Sequence, residues 1–150
     1  MPTIEGNAAY IPINDFSTKI QRCLDLLTKK APGCTVHLNS YVTKVRAARA
    51  SGANFADKSI DIAKATFDST DTWVASVLVH EAAHFWQYKT GKYKASKADE
   101  QEANLLQLTA LRLIGAPASE ISYLQKQDGG HADLDGDGKY TEKDYQKRKY

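Results

Sequence analysis

Residues 80–84 read His80-Glu81-Ala82-Ala83-His84. On an α-helix, positions i and i+4 lie one above the other, so this spacing turns two imidazoles toward one point in space. Paired imidazoles at such a point are a ready site for a divalent transition ion. Glu81, adjacent to the first histidine, is held at the rim, close enough to touch a water on the ion but not the ion itself. Ion plus proton-carrying carboxylate is the equipment of metal-assisted hydrolysis. Residue frequencies put a chance occurrence of the motif at on the order of 0.004. The alternative, a hydrogen-bonded pair of core histidines, leaves two imidazoles and a carboxylate to be buried without an evident partner.

Zinc bound by two histidines needs a third protein ligand and keeps a fourth position for water. Gln87 and Thr90 stand where the extended form of the motif has Gly and a third His, and only His37 and His131 remain as further histidines. A carboxylate must therefore be considered. Asp99-Glu100-Gln101-Glu102-Ala103-Asn104 opens the next helical pattern, and a turn near Gly91 would lay that helix alongside the first and present a Glu to the ion.

The elements that must position these groups follow from periodicity. Phe16, Ile20, Leu24 and Leu27 mark a helix over 14–30, with Asn14, Asp15 or Ser17 able to cap it and Pro32-Gly33 to stop it. Thr35–Asn39 alternates and predicts a strand with Val36 and Leu38 inward. The stretch 40–50 reads equally as strand or helical turn, and 51–54 as a turn or loop. Lys58–Ile62 alternates again, as a short strand. The motif helix runs over about 70–89 with caps available among Asp68 to Asp71, and it is apolar nearly all round, which belongs at the centre of a domain. The pattern 97–114 points Leu105, Leu108, Leu111 and Leu113 or Ile114 inward and ends at Gly115. One more short helix fits 119–127. Composition changes at Asp128-Gly129-Gly130, dividing the chain into a domain over 1–127 and an appended module over 128–150.

The two motifs together resemble the gluzincin metallopeptidases, whose third zinc ligand is a glutamate on a following helix within a Glu-x-x-x-Asp pattern. Glu100-Gln101-Glu102-Ala103-Asn104 matches it with Asn in place of Asp. The resemblance, over about 35–115, implies Glu100 as ligand, with Asn104 holding a ligand histidine from behind; Glu102 is the alternative ligand. It implies an α+β, zincin-like fold, mostly helical, with a small β-sheet over the central helix. An edge strand, for which Lys58–Ile62 is the candidate, would line the substrate cleft and add an extended peptide as a further strand. It also implies a zinc-dependent endopeptidase: a water acidified toward about pH 7 by zinc attacks the peptide carbonyl, and Glu81 passes its proton to the departing amine. A donor to the oxyanion is expected by the same resemblance, from His131, Tyr123, Tyr93 or Arg112.

A second pattern runs from Asp133 to Asp144. Asp133, Asp135 and Asp137 take positions 1, 3 and 5 of a twelve-residue calcium loop, Gly138 the sixth, the Lys139 carbonyl the seventh, Thr141 the ninth and Asp144 the twelfth. Three crowded carboxylates repel one another unless a hard cation neutralises them. The loop resembles EF-hand and dockerin loops; Asp144 in place of the long bidentate Glu implies weaker binding, as of structural calcium at extracellular concentrations.

Forty-two per cent hydrophobic and 25% charged residues over 150 describe an ordinary globular chain, and a net charge of +2 gives no sign of a nucleic-acid partner. No apolar run is long enough to span a bilayer. Cys23 and Cys34 can close a short loop as a disulfide contributing about 3 kcal/mol, or be two small core residues. The disulfide reading favours an oxidising, secreted setting; the first residues, Met1-Pro2-Thr3-Ile4-Glu5, carry no leader pattern, which would then have been removed. A peptide or protein substrate is expected. The alternatives are a zincin-fold module that holds zinc with little turnover, and a calcium-dependent adhesion module.

Overall fold

The computed structural model describes residues 1–128. The expected calcium loop, His131 and the appended module beyond Asp128 lie outside the described residues. What is described is a mixed α/β structure, mostly helical, with one small sheet.

Strand β1 (Thr3–Glu5) leads into helix α1 (Ile13–Lys30), whose Phe16, Ile20, Cys23, Leu24 and Leu27 stripe is buried. Its start has no side-chain cap; Pro12 occupies the N-cap position instead of the expected polar residues. The predicted strand over Thr35–Asn39 is helical. Pro32–Thr35 forms a 3-10 turn that continues into α2 (Val36–Tyr41). Local bonds favour this: Thr35 Oγ1 donates to the Pro32 carbonyl at 2.7 Å, and Asn39 Nδ2 donates to Thr35 Oγ1 at 3.3 Å. Leu38 is buried and Val36 exposed, so the apparent alternation was one inward residue on a short helix.

Strands β2 (Lys44–Ala47), β3 (Gly52–Asn54) and β4 (Ser59–Ile62) complete a sheet of order β1-β2-β4-β3. The β1–β2 and β2–β4 pairs are parallel, and β3 runs antiparallel to β4. The stretch 58–62 is therefore interior, not the expected edge. The edges are β1 and β3, and β3, beside β4, is a three-residue segment with a glycine, too short to show alternation. Val45, Ala47, Ile60 and Ile62 are buried, while across the β2–β4 register Arg46 pairs with Asp61 at 2.8 Å and reaches Asp57 at 3.0 Å.

After a short α3 (Lys64–Phe67) comes α4 (Asp71–Lys89), capped by Thr70, whose side chain accepts from Trp73 N. Fourteen of its residues are buried, because α1, α2, α5 and the β3–β4 side of the sheet all pack on it; this explains its lack of a polar face. Gly91 (φ 74°) ends it, with Lys92 N bonded back to the Gln87 carbonyl. Helix α5 (Lys97–Leu113) starts at a reciprocal Ser96–Asp99 capping box and ends at Gly115 (φ 75°). Helix α6 (Ala118–Gln125) packs on α5. The α5 face differs from expectation: Leu105 and Leu113 are exposed, and the inward stripe is Glu100, Ala103, Asn104, Gln107, Ala110 and Leu111.

The two cysteines are free thiols, correcting the expected disulfide. Cys23 is in the core beneath the start of α4, its thiol donating to the Asp71 carbonyl at 3.4 Å, and burial pushes its pKa up to about 12. Cys34 sits half-buried in the 3-10 turn. Among the described residues no helix is long and apolar enough to cross a membrane.

Candidate metal centre

The centre lies where the middle of α4 meets the first turns of α5. His80 and His84 are one helical turn apart with ring centroids at 4.9 Å, and their Nε2 atoms approach to 3.2 Å. The capping box fixes where α5 begins. Asp99 also accepts from Lys94 N and Ser96 N, which ties the connecting loop to the helix start. This sets Glu100 against α4: its carboxylate lies 3.0 Å from His80 Nε2 and 3.2 Å from His84 Nε2. Ligand atoms of His80, His84 and Glu100 all lie within 4.8 Å of one another, so the group could hold a metal ion.

Glu102 does not join them. It is exposed, and its Oε1 accepts from Gln87 Nε2 at 3.0 Å. Two residues along a helix turn a side chain by about 200°, so Glu100 and Glu102 cannot both face α4's histidines.

Burial and charge oppose each other here. Burial, the largest influence on His84, favours its neutral form, yet the Glu100 charge and hydrogen bond, with Glu81 and Gln87 beside them, outweigh it and raise its pKa to about 9. Burial likewise pushes Glu100 upward, and the two histidines overcome it and hold the carboxyl well below its ordinary range. Without metal, the group is a buried ion pair.

Asn104 was expected to hold a histidine from behind. Its amide is buried, and neither its nitrogen nor its oxygen has a hydrogen-bond partner among the described residues. That position is taken by Gln87, which sequence reasoning passed over. Gln87 is fully buried; its Oε1 faces His84 Nδ1 at 2.7 Å, and its Nε2 donates to the Asp99 carbonyl and to Glu102. An amide oxygen only accepts, so His84 Nδ1 carries a proton and Nε2 is the nitrogen turned to the centre. The available signal was spacing: residue 87 is one turn beyond His84 on the same face.

Glu81 is 1% exposed, and both of its oxygens lack a hydrogen-bond partner among the described residues. Of the expected oxyanion donors, Tyr93 comes next to the centre, its ring 5.6 Å from that of His84. Tyr123 packs edge-on against Trp73 near the start of α4, and Arg112 is exposed near the far end of α5. His37 stacks on Trp86 at 5.2 Å, outside the ligand group. Comparison with known family models, with characterised proteins and with solved structures finds no match.

Proposed function

We propose that this chain is a zinc-dependent endopeptidase of zincin-like build, with His80, His84 and Glu100 as zinc ligands and Glu81 as the proton carrier. The observation that carries this reading is the Glu81 carboxylate, buried with no donor to either oxygen among the described residues. A buried carboxylate in that state costs several kcal/mol unless a cation and a water answer it. Two imidazole nitrogens with one carboxylate oxygen are a donor set for zinc rather than for calcium or magnesium. Tetrahedral zinc with bonds of about 2.0–2.1 Å sets its ligand atoms roughly 3.3 Å apart. The separations here, 3.2, 3.0 and 3.2 Å, are close to that figure.

When bound, zinc would supply Lewis acidity to the attacking water and to the carbonyl under attack. Glu81 takes the proton of that water as its oxygen adds to the peptide carbonyl carbon. It then delivers the proton to the amide nitrogen as the C–N bond breaks. Gln87 keeps His84 Nε2 directed at the centre, and Tyr93, whose ring lies beside His84, is the best-situated donor to the developing oxyanion. A structural calcium on Asp133–Asp144 and a secreted setting belong to the same reading, the latter without the support of a disulfide.

One observation favours the second reading, a zinc-holding module with little turnover: His80, Glu81, His84 and Glu100 are all 3% exposed or less, whereas a catalytic ion needs an open position. Zinc content and cleavage of a mixed unfolded protein substrate, measured on wild type and Glu81→Gln, separate the two. Stoichiometric zinc in both with cleavage only by the wild type is expected. Zinc in both with cleavage by neither establishes the module, and absence of zinc overturns both.

A further inference from the structure

Beyond the centre, one cleft combines an aromatic interior with a lip of a single charge sign. It has a volume of about 290 Å³ and is lined on one side by Asn39 to Thr43, on the other by Phe55, Lys58, Phe85, Tyr88 and Lys89. Its aromatic wall is organised: Phe55 stacks on Tyr88 at 4.4 Å and 11°, and meets Phe85 edge-on at 5.2 Å. The volume suits one or two side chains rather than a large ligand.

No carboxylate lines the cleft, and the ammonium groups of Lys58 and Lys89 have no ion pair or hydrogen bond among the described residues. Elsewhere on the surface, Lys64 is paired with Asp68 and Lys97 with Asp128. Among the described residues Lys58 is also one of two non-glycine residues with positive φ, at 53°. Its carbonyl is clamped by Thr43, which donates to it from both N and Oγ1 at 2.9 and 3.0 Å. A left-handed corner is comfortable for Gly or Asn and strained for Lys, so a lysine here spends backbone freedom to keep its charge at this lip.

The cleft is close to the centre. The Phe55 ring lies 4.9 Å from Tyr93, whose ring lies 5.6 Å from His84. That path is spanned by about three residues of extended peptide. We infer that this cleft is a subsite for an acidic peptide segment: an apolar or aromatic side chain packs between Tyr41 on one side and the Phe55–Phe85 pair on the other, and neighbouring carboxylates meet Lys58 and Lys89. The inference rests on the endopeptidase reading for its purpose, and on the cleft's own residues for its chemistry.

The test measures binding rather than turnover. Fluorescein-labelled Gly-Glu-Phe-Glu-Gly-Gly, its Lys-for-Glu counterpart and its Gly-for-Phe counterpart are titrated with zinc-loaded full-length Glu81→Gln protein, followed by anisotropy. The Glu-Phe-Glu peptide is expected to bind at least tenfold more tightly than either counterpart. Adding Lys58→Glu and Lys89→Glu should invert the preference between the acidic and basic peptides. Lys58→Asn, which suits the left-handed corner, removes the charge without straining the fold and should weaken the acidic peptide severalfold. Equal affinities for acidic and basic peptides, or a preference that survives charge reversal, overturn the subsite. Cleavage of unrelated peptides by the wild type alongside equal affinities would leave the endopeptidase reading intact, whereas selective binding with no cleavage of any substrate would remove that reading and keep the subsite.

Discussion

Two polar clusters are buried between α4 and α5, and they are built in opposite ways. Near the start of α4, Gln107 donates to Ser76 Oγ at 3.0 Å, and Ser76 donates in turn to the Trp73 carbonyl at 2.7 Å. No atom of Ser76 or Gln107 is among the buried polar atoms left without a partner. One turn further along, Glu81 and Asn104 are equally buried, but their polar atoms find no partner among the described residues. Sequence chemistry is similar at the two places, and helix packing is continuous between them. What differs is hydrogen-bond closure: a closed cluster holds helices together, and an open one holds a place for something else.

The largest effect expected from this contrast is on chemistry. Glu81→Gln should lower peptide cleavage by roughly 10²–10⁴-fold with zinc content unchanged, measured by kcat/KM and elemental analysis together. The same orphaned atoms should make the metal a stabiliser. At zinc about a thousandfold above its Kd, its removal by a chelator costs about 4 kcal/mol, a fall in Tm of roughly 10 °C by calorimetry. The stability lost in Ser76→Ala should be the same with and without chelator, since its bonds are to Gln107 and Trp73 and not to the ligand group.

Gln87→Ala tests the grip on His84: a 10–100-fold loss of zinc affinity is expected, with partial recovery in Gln87→Glu, read by competition against a chromophoric chelator. The sharpest comparison is one of sign. In metal-free protein, Asn104→Leu should stabilise by about 1–2 kcal/mol, since it removes an unsatisfied buried amide, while Ser76→Ala should destabilise by about 1 kcal/mol. Denaturant unfolding of both variants without zinc decides it, and the same sign for both would erase the distinction between the clusters.

A smaller effect is pH-dependent. His84 is raised from its ordinary 6.5 to about 9 in the folded metal-free protein, so its contribution is complete below pH 6.5 and lost as pH climbs through 9. Glu100 is lowered, so its contribution is present above pH 4.5 and lost as pH falls below that. Metal-free stability should therefore be highest between about 4.5 and 6.5. The stability gained on adding zinc should widen from pH 6.5 to 9, because zinc displaces the His84 proton.

The sequence made α4 legible because two rules agreed there: a ligand spacing that only a helix satisfies, and an apolar surface that only a central helix can bury. It made the end of α5 legible through Gly115, whereas the Ser96–Asp99 box that starts the helix went unread. Leucine periodicity misplaced the α5 face, since the inward stripe carries Glu100, Asn104 and Gln107 for the two polar clusters and leaves Leu105 outside. Composition hid the very face that matters. The helix over Val36–Tyr41 was read as a strand because six residues hold too few turns to show a period, and its stability comes from the Thr35 bonds and from packing on α4. The choice between Asn104 and Gln87 depended on which amide lies behind His84, a matter of inter-helix geometry that no spacing along one chain encodes.

The measurement closest to the central claim is X-ray absorption at the zinc edge on full-length protein purified with zinc and dialysed. One zinc per chain, with two imidazole nitrogens and carboxylate oxygen at about 2.0–2.1 Å, is the expected result. Protein that is folded yet retains no zinc, or a zinc whose shell contains no imidazole, would contradict it.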